Sequence, residues 1–148
     1  MNRKTSAATE YGNLGLRTNI ESSNPHRLIL LLLDGAVEKI CLARAALANG
    51  DISAKGSAIS LAISIIDGLR ASLAIDEGHE IAQNLDDLYE FSARTLLEAN
   101  LDNDETKLNQ VIEILGEIRA GWVGIEQTAR QTYGEVTNEV GSISHALG

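Results

Sequence analysis

His79 and Glu80 begin the stretch that comes nearest to a catalytic signature, the start of a zinc-peptidase helix. That helix needs a second histidine four residues after the first, where this chain has Gln83, so the ligand pair is missing. His26 and His145 fall in separate contexts and read as structural or solvated side chains. Asp86, Asp87 and Glu90 could be imagined sharing acid–base work, but acids at that spacing on a helix form its wet face. Cys41 lies inside a predicted helix, away from an N-terminus that would lower its pKa, and reads as a small hydrophobe. The 13 glycines contain neither G-x-G-x-x-G nor G-x-x-x-x-G-K-[ST], the two phosphate-cradling patterns. The residues therefore predict no enzyme, no metal and no cofactor.

What remains is the surface that the elements present. The chain has 148 residues, enough for one domain; 44% are hydrophobic and 22% charged, which is globular composition. One proline and 3% aromatics suit helices better than a turn-rich β-sandwich. The formal net charge is −9, which repels phosphate backbones and argues against nucleic acid. It is unevenly spread: residues 1–27 carry +2 and the remaining 121 carry −11, so a weakly basic arm precedes an acidic body. A lone cysteine and no apolar leader in the first twenty residues point to the cytoplasm. The longest apolar run, Leu28 to Leu33, is six residues, against the roughly 20 needed for a membrane span.

Residues 1–22 show no sustained period and read as a flexible N-terminal arm. Ser22-Ser23-Asn24-Pro25 is a strong helix start, with a short polar cap and a proline where no N–H is needed. A first helix is predicted from about Pro25 to Ala48, ending at Asn49-Gly50. A second runs from Ile52 to Ile75, with Ile59, Ile63, Ile66, Leu69 and Leu73 at helical spacing and a break at Asp76-Glu77-Gly78. A third, about His79 to Asn100, has a core stripe of Ile81, Leu85, Leu88, Ser92, Thr95, Leu96 and Ala99. Asn103-Asp104-Glu105 caps a fourth, which carries Leu108, Val111, Ile112, Leu115, Ile118 and Trp122 and reaches about Arg130. Residues 131–148 are polar and glycine-punctuated, a tail. The expected fold is all-α: an antiparallel up-down-up-down four-helix bundle over residues 23–130, preceded by the arm.

The helices carry more apolar surface than such a bundle needs. In the first, Ile29, Leu33, Ala36, Val37 and Ile40 already supply a core stripe, yet Leu28, Leu31, Gly35 and Leu42 fall on the far side at 100° per residue. The second repeats this with Leu61, Ile65 and Gly68, and the fourth with Ile114, Ile118, Gly121 and Ile125. Either the first helix is central and surrounded, or these faces form an apolar groove for a partner helix, with the arm as its removable lid. Trp122 is open to both uses, core plug or partner anchor.

A set of blocks now stands in order: Asn24-Pro25-His26-Arg27-Leu28-Ile29, Leu32-Leu33-Asp34-Gly35-Ala36, Gly50-Asp51 with Lys55, and Gly78-His79-Glu80-Ile81-Ala82-Gln83-Asn84-Leu85. Leu88-Tyr89-Glu90-Phe91 and Glu98-Ala99-Asn100 follow. From about Tyr11 to Trp122 this pattern resembles the flagellin export chaperone family, FliS. Asn24 stands where the family usually has serine, a mild change because both cap. The arm before Pro25 is also longer than in many members. The resemblance implies a cytoplasmic four-helix bundle that binds the disordered C-terminal segment of flagellin, prevents premature filament assembly and presents the subunit to the flagellar type III export apparatus. It also implies an arm that covers part of the binding surface, a task for Tyr11, Leu14 and Leu16 here. The partner surface is then expected at Leu28, Leu31, Gly35, Leu42, Leu61, Ile65, Gly68, Ile114, Ile118, Trp122 and Ile125. The competing expectation is a structural bundle, a homodimer whose surplus stripes bury one another, with no flagellin groove.

Overall fold

The computed structural model describes residues 24–73 and 80–125. The proposed arm with Tyr11, Leu14 and Leu16, the Asp76-Glu77-Gly78 break and the tail over 131–148 lie outside them. Four helices are described: α1 Pro25–Ala48, α2 Ile52–Ala71, α3 Glu80–Asp102 and α4 over residues 105–125.

Both described turns follow one design. Gly50 at φ +74° closes α1 in the left-handed conformation, with its N–H bonded to Leu47 O and the Asp51 N–H bonded to Ala46 O. Asp51 then begins the next helix, its Oδ1 accepting the Ala54 N–H at 3.1 Å. At the end of α3, Asn103 takes the left-handed role at φ 53°, the Asp104 N–H bonds Ala99 O, and Asp104 Oδ1 accepts the Lys107 N–H. One aspartate thus both finishes one helix and caps the next, which forces a tight reversal. At the head of α1, Asn24 Oδ1 accepts the Arg27 N–H and Pro25 occupies the first turn, as expected.

Cross-helix contacts establish the order. His26 meets Trp122, Asp34 meets Arg119 and Arg44 meets Asn109, so α1 and α4 run antiparallel. Arg70 bonds Asp86 and Lys55 bonds Asn100, which does the same for α2 and α3. Lys107 bonds Glu98 near the α3–α4 turn, and Ile65 packs over Gly35 between α1 and α2. The helices form an up-down-up-down ring of four.

The core is Leu33, Ala36, Ile40 and Ala43 of α1, Ile59, Ala62, Ile65, Ile66 and Leu69 of α2, Tyr89, Leu96 and Ala99 of α3, and Leu108, Val111 and Leu115 of α4. Each fully buried Leu or Ile contributes roughly 1.5–3 kcal/mol. Lys55 is also buried, 3% exposed, and its Nζ donates to Asn100 O and Asn103 Oδ1, tying the last turn of α3 to α2. By length and mean hydropathy α2 is apolar enough to cross a membrane, but Lys55, Asp67 and Arg70 lie along it and its inner face forms core.

Three sequence expectations are corrected. Ile65, assigned to the partner surface, is fully buried: its Cδ1 lies 3.7 Å from where a Cβ on Gly35 would sit, so this glycine admits a neighbouring side chain of the same bundle. Ile81 and Leu88, assigned to the core stripe of α3, are 71% and 40% exposed. The second helix also ends at Ala71, four residues earlier than its periodicity suggested, where Ser72 bonds back to Gly68 O and Leu69 O.

Candidate partner groove

The first turns of α3, as far as Leu88, and the last turns of α4, from Ile114, leave a cleft between them. Between them runs an apolar groove of about 310 Å³, with Ile81, Leu85 and Leu88 on one wall and Ile114, Ile118, Trp122 and Ile125 on the other. Gly121 also lines it, and a side chain there would meet nothing within 4 Å, so the backbone itself is open to a visitor. Glu117 is the charged residue on its rim.

At the bundle end the groove adjoins a wider mouth of about 690 Å³. Pro25, His26, Leu28 and Ile29 of α1, Ser72 and Leu73 beyond α2, and Ala82 and Tyr89 of α3 line it. Ile81, Leu85 and Trp122 line both cavities, so the two adjoin. Tyr89 is 2% exposed, and burial pushes its phenol up to about 12, so it stays neutral.

Trp122 holds the corner. Its ring stacks on His26 with centroids 4.4 Å apart and planes 16° from parallel. Its Nε1–H donates to His26 O at 2.9 Å, and His26 Nε2 lies 3.2 Å from Trp122 O, a donor there in the Nε2–H tautomer. The half-buried indole is therefore braced by α1 and lines the groove, outside the buried core. Below it, Asp34 receives two bonds from Arg119, at 2.6 and 3.3 Å, and fixes the α1–α4 register; this hydrogen-bonded carboxylate raises the arginine's pKa.

Of the expected partner residues, Ile114, Ile118, Trp122 and Ile125 come together in the groove, and Leu28 joins them at the mouth. Leu61 lies in a separate trough on α2 among Ser53, Ser57, Ser60 and Ser64. Leu31, Gly35, Leu42 and Gly68 line none of these three cavities. The α3 wall was missed because Ile81, Leu85 and Leu88 continue the stripe that becomes core further along. The signal that could have found it is Gly121 of α4, which lines the groove with that stripe and carries no side chain to fill the seam.

Comparisons with known proteins identify a family for the chain. A model of the family described as "Flagellar protein FliS" matches residues 7–129. The chain is 42% identical over 119 residues to "Flagellar secretion chaperone FliSB" of Pseudomonas aeruginosa, covering 80% of this chain and 94% of that protein. It is 42% identical over 120 residues to the "Flagellar secretion chaperone FliS" of Salmonella typhimurium, with 80% and 89% covered. The relative of that description in Bacillus subtilis is 27% identical over 115 residues, with 78% and 85% covered.

Proposed function

The chain belongs to the FliS family of flagellar secretion chaperones, and from that premise we propose that the groove between α3 and α4, with its mouth, seats the disordered C-terminal segment of flagellin. The single observation that carries this reading is the apolar seam with Ile81, Leu88 and Ile125 exposed along it. Flagellin ends must form amphipathic helices in the filament, so their apolar stripes find each other in the cytoplasm unless masked. A third helix laid between α3 and α4 masks them by offering a substitute partner. Folding on binding buries on the order of 1,000–3,000 Å² and costs about 2–5 kcal/mol in ordering, which leaves a specific and reversible complex. The step needs no nucleotide. The loaded complex is then delivered to the flagellar type III export apparatus, with the acidic body as the contact surface.

The arm belongs to the same reading. The arm precedes Asn24-Pro25, and Pro25 lines the mouth, which supports the reading that Tyr11, Leu14 and Leu16 cover that opening until flagellin replaces them. A second reading, self-association, is favoured by Leu97 and Leu101, one turn apart on α3 and 53% and 82% exposed away from the groove.

The test is titration with a synthetic C-terminal flagellin peptide. A 1:1 complex with a gain in helicity is expected; no binding at tens of micromolar removes the flagellin reading. Sedimentation of the free chain decides the second.

A further inference from the structure

The last described residue, Ile125, stands on the rim of the groove, and 23 residues follow it, 126–148. Within them Tyr133, Val136, Val140, Ile143 and Leu147 recur in steps of three and four, while Glu135, Asn138, Glu139, Ser142 and His145 occupy other positions. That is the heptad spacing of a helix with one apolar seam. The family model ends at residue 129, so this pattern lies outside what the model covers.

We propose that residues 133–147 dock as an amphipathic segment in the α3–α4 groove of their own chain. Length and direction permit it. Residues 126–132 make a connection of seven, within the roughly 2–8 usual between antiparallel helices. Fifteen helical residues span about 22 Å, and the α4 wall from Ile114 to Ile125 about 16 Å, at 1.5 Å per residue. The wall has the same rhythm as the tail, with Ile114, Ile118, Gly121 and Ile125 at steps of four, three and four. Gly121 gives the incoming backbone room for close approach. Two glycines, Gly134 and Gly141, and two valines make the tail a weak helix former by itself, so docking supplies its order and a better ligand displaces it. The tail is thus an intramolecular competitor; its identity as a rival of flagellin rests on the function proposed above, but its seat does not.

Trp122, the only tryptophan, lines this groove and reports on it. The experiment compares acrylamide quenching of the full chain with that of the full-length Val140→Asp, Ile143→Asp double variant, whose substitutions lie beyond the described bundle. Quenching is expected to rise severalfold in the variant with no loss of helical melting, and a peptide of residues 130–148 added in trans restores protection. The flagellin peptide should bind the variant on the order of tenfold more tightly, because a closed population lowers apparent affinity by its open fraction. Equal quenching of both proteins overturns the proposal. So does protection of the unmodified chain that fades on dilution, which places the tail on a neighbouring copy. If quenching differs while the flagellin peptide binds neither protein, the tail seat stands and the flagellin reading falls.

Discussion

His26 and Trp122, 96 positions apart, hold each other by three contacts: a ring stack, an indole N–H on the His26 carbonyl, and the imidazole on the Trp122 carbonyl. The pair joins the first turn of α1 to the end of α4 at the point where groove and mouth meet. Trp122→Phe keeps the stack and loses the N–H bond, so a loss of about 0.5–1.5 kcal/mol is expected in urea unfolding. Trp122→Ala also removes the shared wall and should cost more, about 2–3 kcal/mol for a side chain that is only half buried.

Ile81→Asp puts a charge on the exposed wall of the groove. Affinity for the flagellin peptide should fall at least about tenfold, or 1.4 kcal/mol. Stability should stay within about 0.5 kcal/mol, as for surface substitutions. Leu101→Asp, away from the groove, should leave calorimetric affinity unchanged.

Ile65→Asp should unfold the bundle, since it places a carboxylate in a sealed site where a penalty of several kcal/mol meets a total stability of about 5–15. Gly35→Ala should do the reverse. The new methyl would lie 3.7 Å from Ile65 Cδ1, an ordinary contact, and alanine improves a helix interior by up to about 1 kcal/mol. Thermal melts of both variants check the α1–α2 packing.

Tyr89 supplies a pH dependence. Burial raises its pKa from 10.0 to about 12, so the fold favours the neutral phenol. The associated stability is fully present below pH 10 and is lost as pH rises from the unfolded value through the folded one, on the order of 2–3 kcal/mol in all. Absorbance titration should find one of the three tyrosines ionising late, and Tyr89→Phe should remove that step.

Local chemistry made the elements legible. Asn24-Pro25, Asn49-Gly50-Asp51 and Asn103-Asp104 each sit where a cap or a left-handed turn requires them, so α1 matches its predicted bounds and the α3–α4 junction falls where expected. The candidate groove was only half legible. Periodicity located Ile114, Ile118, Trp122 and Ile125, because a fourth helix needs fewer apolar residues than these. It could not tell Ile65 from Leu61, or Ile81 from Leu96. Whether a stripe is covered depends on how far the facing helix extends and how large its residues are, and that is a property of pairs of helices. Gly35 opposite Ile65 closes one seam; Gly121, which lines the groove with Ile81 and Leu85, opens another.

The paired aspartate turns have a kinetic corollary. Asp51 and Asp104 each reverse the chain within a few residues, so α1 with α2, and α3 with α4, can zip as separate hairpins with little loop entropy to overcome. Both walls of the seam belong to the second hairpin, and the sides of the receptacle are set by neighbours in sequence before the two halves of the molecule meet.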